Sequence, residues 1–192
     1  SDEEVIVITP YLVPLKSGIE FWQGIVDQGT RVVMLTNSLA STNHIPVHSG
    51  YAKFRKPLLE AGVELYEARV DAVEHLADRP GAPDNKTLHT KLIIIDRQQI
   101  FAGSLNLDPR SIDLNSEMGV NILSEELGTE LATEFFEQLD EVAYRVTLNE
   151  RGKLQWEGIV NGENVIKTTE PSTSRWRRFK AWFFRIAPDS QL

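Results

Sequence analysis

The chain has 192 residues, 41% hydrophobic and 25% charged, enough for one well-buried domain with at most a short appendage. It contains no cysteine, which excludes disulfides, thiolate zinc sites and cysteine nucleophiles and leaves the redox compartment open. Its net charge of −8 is uneven: Arg175, Arg177, Arg178, Lys180 and Arg185 form a run of five positive charges without an acid, so the remainder carries −13, which argues against extended nucleic-acid binding.

Taken in order, SDEE leads straight into the buried-strand run Val5-Ile6-Val7-Ile8, with nothing resembling a signal peptide. No apolar stretch approaches the roughly 20 residues that span a bilayer. A helix is predicted over Gly18–Gln28, with Ile19, Trp22, Ile25 and Val26 on one stripe, and Gly29 ends it. Arg31–Thr36 is a second buried strand. The polar loop Asn37–Asn43 leads into a helix over Val47–Glu60, striped by Tyr51, Phe54 and Leu58 and kinked at Pro57. Gly62 closes it and GVELYEA is the third strand. This β-α-β-α-β order predicts an α/β fold with a mixed, mainly parallel sheet flanked by helices.

Asp71–Lys86 reads as a loop rich in Asp, Pro and Gly. Strands follow at Thr87–Asp96, Ile100–Ser104 and Met118–Leu123, with a turn at Arg97-Gln98-Gln99. A helix is predicted from Glu125 to Thr147, its first turn acidic as the helix dipole favours. Residues 149–170 read as a small hairpin extension turning at Asn161-Gly162, which leaves 1–148 as the main lobe and 171–192 as a basic tail. No internal repeat is visible.

The chemistry concentrates in LHTKLIIIDRQQIFAGSLN. His89 and Lys91 are two apart on a strand, so both emerge from one face. One can attack phosphorus while the other holds a phosphoryl oxygen. Ser104 and Asn106 repeat that spacing where the next strand ends, and Gly103 lets the backbone come close to a ligand. Asp96 belongs to the same catalytic signature, but it lies five positions from Lys91, and strand parity turns it to the opposite face. Its physical role is therefore to support the sheet or an adjoining loop. A lone His-x-Lys usually marks an exposed strand edge. All six positions of His-x-Lys-(x)4-Asp-(x)6-Gly-Ser-x-Asn arise by chance on the order of once in a million such chains.

These residues resemble the phospholipase D superfamily, whose motif they match without departure. The resemblance implies that two such motifs meet at one active site, so that the chain is one lobe of a two-lobe enzyme. One histidine would form a phosphohistidine and the other would protonate the leaving alcohol, with no metal or other cofactor. His89 is then nucleophile or general acid, while Lys91 and Asn106 stabilise charge on the phosphoryl oxygens. Downstream, NLDPRSIDLNSEMGV resembles the usual continuation, in which an acid, here Glu117, supports an active-site histidine. TPYLVP, TNSLAST, HSGYAKFRKPLLEAGVELYE and the tail from Trp176 resemble the C-terminal half of bacterial cardiolipin synthases. That resemblance implies a phospholipid substrate, a second motif from an N-terminal half or a second subunit, and a peripheral place on the bacterial inner membrane.

His48 and Tyr51, one turn apart, share a helix face that could reach a phosphate or glycerol pocket; a core Tyr beside a capping His fits equally. His44 reads as a loop residue, and His75 has no assigned role. Within the tail, Trp176, Phe179, Trp182, Phe183 and Ile186 fall in an arc of roughly 120° on a helix, with Arg177, Arg178, Lys180 and Arg185 outside it. This suits an interfacial helix as well as one docked on the core. Three functions remain open: phosphatidyl transfer as in cardiolipin synthesis, a homodimeric phosphodiesterase or nuclease, and a non-catalytic lipid-binding module. The acidic body counts against the second, and the complete motif against the third.

Overall fold

Val5 to Ile8 form the central strand β1 (Glu4–Ile8), apolar toward both faces because helices cover both. In the computed structural model, which describes residues 3–70, 72 and 87–184, it is followed by α1 (Leu15–Asp27), β2 (Arg31–Asn37), α2 (Ile45–Tyr51), α3 (Arg55–Glu60) and β3 (Glu64–Ala68). The chain continues through β4 (Leu92–Ile95), β5 (Gln99–Gly103), α4 (Pro109–Asp113), β6 (Gly119–Leu123) and α5 (Glu125–Val142). It ends on β7 (Ala143–Leu148), β8 (Leu154–Val160), β9 (Glu163–Lys167) and α6 (Arg175–Phe184). His75, Arg185, Ile186 and all of the Asp71–Lys86 loop except Ala72 lie outside the described residues.

The strands make one sheet in the order β6-β5-β4-β1-β2-β3-β7-β8-β9. It is mixed and flanked by helices, but the parallel share is smaller than the sequence predicts. Only β1–β2 and β2–β3 run parallel, each joined by a helical crossover. Every other pairing among the described strands is antiparallel, and short turns or hairpins make the β4–β5, β7–β8 and β8–β9 pairs.

Strand parity sorts the core into two layers. Val5, Val7, Val32, Met34 and Leu65 pack beneath α1, α2 and α3 with Trp22, Tyr51 and Leu58. Ile6, Val33, Leu35, Ile94 and Ile100 face the other way, onto Ala132, Phe135, Phe136 and Leu139 of α5. A register slip of one residue in β1 or β2 would exchange these layers, so the register is strongly specified.

Three predicted elements differ. The single helix over Val47–Glu60 is two helices, because the Pro57 ring clashes with the carbonyl four residues back. The chain answers with tight turns, Lys53 N–H to Gly50 O at 3.1 Å and Phe54 N–H to Tyr51 O at 2.8 Å. The helix predicted to Thr147 stops at Val142, since Tyr144 and Val146 join the core and β7 pairs along β3. The strand predicted over Thr87–Asp96 is paired only over Leu92–Ile95. Its ladder with β1 ends at Ile8–Leu92, two residues before Pro10, which has no N–H to continue it.

Candidate active site

The run into β4 is held by a side chain instead of a strand. Asn37, at the end of β2, accepts from Leu88 N–H at 3.0 Å and donates to Leu88 O at 3.0 Å and Pro10 O at 3.1 Å. Thr87 Oγ1 donates to Ser41 O at 2.8 Å. Leu88, Thr90 and Leu92 line a cleft of about 330 Å³ under α5, so the alternation sends His89 and Lys91 toward the opposite side. His89 is exposed and Lys91 half-buried, with Lys91 Nζ donating to His89 O at 2.9 Å.

The second half of the motif meets the first across β5 and β6. Gly103 N–H donates to Lys91 O at 3.2 Å, and Ser104 N–H to Met118 O at 2.8 Å. Ser104 Oγ donates to Glu117 Oε2 and accepts from Met118 N–H at 2.9 Å. Asn115 Nδ2 donates to Glu117 Oε1 at 3.0 Å. Bonds from Ser104 and then Asn115 hold the Glu117 carboxyl below its usual range, and Lys91 adds to the effect. Burial lowers the Lys91 ammonium pKa, while Glu117 and Asp108 pull it back up. Glu117 thus sits close enough to feel Lys91, but among the described residues its hydrogen bonds go to Ser104 and Asn115, and none joins it to His89.

Leu107 N–H reaches Thr9 Oγ1 at 3.5 Å and Val13 N–H reaches Leu107 O at 2.7 Å, which lays the Asn106 segment across the end of β1. Asn106 Nδ2 donates to Ser111 Oγ at 3.3 Å. Asn106 Oδ1 is buried and is the one such side-chain atom without a partner among the described residues. Asp108 caps α4, accepting from Ser111 N–H at 2.9 Å.

A Cβ at Gly103 would stand 2.4 Å from Met118 O and 2.7 Å from Gly119 Cα, so the absence of a side chain lets the end of β5 pack against the residues that open β6. Asp96 lies past the far end of β4 from His89, in a turn where it and Arg97 have φ of 50° and 55°. Its carboxylate accepts from Glu3 and Glu4 N–H at 3.1 and 3.0 Å, tying the turn to the start of β1.

His48 and Tyr51 share a face of α2 that reaches a buried charge network. Tyr51 Oη donates to Glu67 at 2.8 Å, Arg55 Nε to Glu67 at 2.6 Å and Trp156 Nε1 to Glu67 at 2.9 Å. Arg55 also grips Glu170 through Nη1 at 2.6 Å and lies 2.9 Å from His48 Nε2. Sequence reasoning missed this network. Its signal is Glu67, which shares the inward parity of Leu65 on a strand whose face is otherwise apolar. It also missed Asn37 and Asp108. His44 packs edge-on against Tyr11, with ring centroids 5.8 Å apart. Among the described residues no group of three or more His, Asp or Glu is placed to hold a metal ion.

Comparison with known proteins shows the family and the fold. A family model described as "Cardiolipin synthase, PLD-like domain" matches residues 1–139. The chain is 37% identical over 190 residues to cardiolipin synthase C of Escherichia coli, covering 97% of this chain and 40% of that protein. It therefore spans well under half the length of that relative. In fold it is similar to Nuc from Salmonella typhimurium, a phospholipase D family member, with TM-score 0.55 at 16% identity over 76% of this chain and 84% of that one. It is also similar to phosphatidylserine synthase of Haemophilus influenzae, with TM-score 0.52 at 17% identity over 74% of this chain and 33% of that one.

Proposed function

Because this chain belongs to the cardiolipin synthase PLD-like domain family, within the phospholipase D superfamily, we propose that it is one catalytic lobe of a phosphatidyltransferase. The observation that carries this reading is that Lys91, two residues after His89, lies beside Ser104 and Glu117 at the shared end of β4, β5 and β6, with Asn106 two residues beyond Ser104. His89 supplies the imidazole that attacks phosphorus or protonates the leaving oxygen. Lys91 supplies a partly desolvated cation for the phosphoryl oxygens. A half-turn of the Asn106 amide would rest Oδ1 on the Ser111 hydroxyl and point Nδ2 at an incoming oxygen, relieving the unpartnered acceptor.

In the proposed reaction a phosphatidyl group passes from a phospholipid to one histidine, releasing an alcohol that the other histidine protonates. An acceptor alcohol then takes the group and restores both. With phosphatidylglycerol and a second phospholipid the product is cardiolipin. The second histidine comes from another lobe, in a longer chain or a second subunit. The exposed edge strand β6, with Met118 just before it and Val120 open near Glu117, is a surface such a lobe would cover. Because the lipids stay in their bilayer, the enzyme works as a peripheral protein at the bacterial inner membrane.

The test is to assay the isolated chain on phosphatidylglycerol and on an aryl phosphodiester while measuring its mass. A monomer without turnover, together with an acid-labile phosphoenzyme in the two-lobe protein, supports the proposal. Turnover by a monomer overturns the half-site. Cleavage of the aryl diester by a symmetric dimer, without phosphatidyl transfer, replaces it with a dimeric phosphodiesterase.

A further inference from the structure

The last helix, α6, is both docked and open. Ser174 caps it, accepting from Arg177 N–H at 3.1 Å. Arg177 then reaches across to the loop after β2, donating from Nε to Leu39 O at 2.6 Å and from Nη2 to Thr42 O at 2.5 Å. Ala181, one turn on, is buried on the same side. At 100° per residue Arg177 and Ala181 point one way, and Trp176, Phe179 and Phe183 point the other.

Among the described residues that outer face is left uncovered. Trp176, Phe179, Trp182 and Phe183 are 63%, 50%, 59% and 57% exposed. The Trp176 and Phe179 rings stack with centroids 5.6 Å apart, and the Lys180 ammonium lies 5.4 Å from the Trp176 ring. Between this face and His44–Pro46 runs an open apolar groove of about 570 Å³. Single exposed apolar side chains need no explanation, but five exposed aromatics on one ten-residue helix do.

We infer that the outer face of α6 is the surface on which this lobe rests on an anionic phospholipid bilayer, with Arg177 holding that surface in fixed relation to His89. This rests on, and deepens, the phosphatidyltransferase reading. Charge complementarity names the occupant. The helix carries Arg175, Arg178 and Lys180 around its aromatic face and no acid, whereas the chain without its basic run stands at −13. An acidic lobe is repelled from an anionic surface unless a basic element meets it first. Trp and Phe with flanking cations are the composition that enters the headgroup layer, and no described helix is long and apolar enough to cross it.

The link to the site is continuous. The loop that accepts from Arg177 through Leu39 and Thr42 also accepts from Thr87 through Ser41 O, and it follows Asn37, which clamps Leu88. Membrane contact and His89 are thus held by one seven-residue stretch, 37 to 43.

The test is co-sedimentation of the intact chain with vesicles of phosphatidylglycerol mixed into phosphatidylcholine, and with phosphatidylcholine alone. Binding to the anionic vesicles should fall with salt without vanishing, because only the charged part is screened. The combined change Trp176→Ala, Phe179→Ala and Phe183→Ala should lower binding at least about tenfold at unchanged melting temperature. In the two-lobe protein, Arg177→Ala should keep vesicle binding while lowering transfer from bilayer lipid, with activity on a dispersed short-chain substrate retained. Binding unaffected by the triple change overturns the inference. So does a lipid-free dimer that the same change dissociates, which would make the face a protein interface. Vesicle binding through α6 by a two-lobe protein that transfers nothing would leave this surface standing and remove the phosphatidyltransferase reading.

Discussion

Asn37 and Leu88 are joined reciprocally, side-chain amide to both peptide groups, at 3.0 Å in each direction. This fixes the backbone one residue before His89 where no ladder partner exists. Asn37→Ala leaves the half-buried Leu88 N–H and O without their side-chain partner and Pro10 O with only the 3.5 Å bond from Thr36 Oγ1, which should cost about 1–3 kcal/mol of stability. Because the imidazole loses its bearing, activity of the two-lobe enzyme should fall further than unfolding explains, by about 10- to 100-fold in kcat with little change in KM. Steady-state kinetics well below the melting temperature decide this. A variant that loses stability but keeps kcat would make Asn37 a folding residue alone.

His89, Lys91 and Asp96 belong to one motif, but their environments differ, and so should their variants in the two-lobe enzyme. His89→Ala should remove about 10²- to 10⁴-fold of activity and Lys91→Ala about 10²- to 10³-fold, both with near-native stability. Asp96→Ala removes the acceptor for Glu3 and Glu4 N–H and places alanine at φ 50°, so its effect should appear in the melting temperature. Asp96→Asn, which keeps an acceptor and tolerates that backbone, should be milder. A stable, inactive Asp96→Asn would put this residue at the chemistry after all.

Parity and spacing make the site legible where the residues lie on one chain segment. His89 and Lys91 two apart, Ser104 and Asn106 two apart, and Asp96 out of phase are all readable without coordinates. The layers are legible for the same reason, since VIVI and RVVML alternate between two covered faces. What escapes depends on partners distant in sequence. Asn37 matters because Pro10 ends a ladder, and Glu67 because Arg55, Tyr51 and Trp156 converge on it from three other elements. The helix predicted over Glu125–Thr147 overshoots because helical spacing continues past the point where β3 needs an edge partner.

Gly103 separates backbone packing from ligand contact. An added Cβ meets Met118 O at 2.4 Å and Gly119 Cα at 2.7 Å, backbone atoms that cannot swing aside. Gly103→Ala should therefore force β5 from β6, lowering stability by about 1–3 kcal/mol and shifting Ser104 away from Glu117. Activity and melting temperature should fall together. A stable protein with weakened substrate affinity would instead support the ligand-approach role that the sequence implied.

The Arg55–Glu170 pair ties the segment before α6 to α3, and it gives the fold an acid sensitivity with a definite sign. Burial alone would raise the Glu170 carboxyl, but the Arg55 guanidinium, with His48 beside it, overcomes this and holds it well below its ordinary 4.5. A carboxyl depressed in the folded state adds stability that is complete above its unfolded value. That contribution is lost as pH falls from about 4.5 through the folded value. Glu170→Gln should therefore lower stability by about 1–3 kcal/mol at pH 7 and flatten the loss between pH 4.5 and lower values. Urea unfolding of both proteins at pH 7, at 4.5 and at the lowest pH where the wild type stays folded measures this. The two curves should converge toward acid, since a protonated Glu170 and the neutral amide of the variant are electrostatically alike. Parallel curves would show that Glu170 carries no proton-linked stability and that Arg55 is held by Glu67 alone.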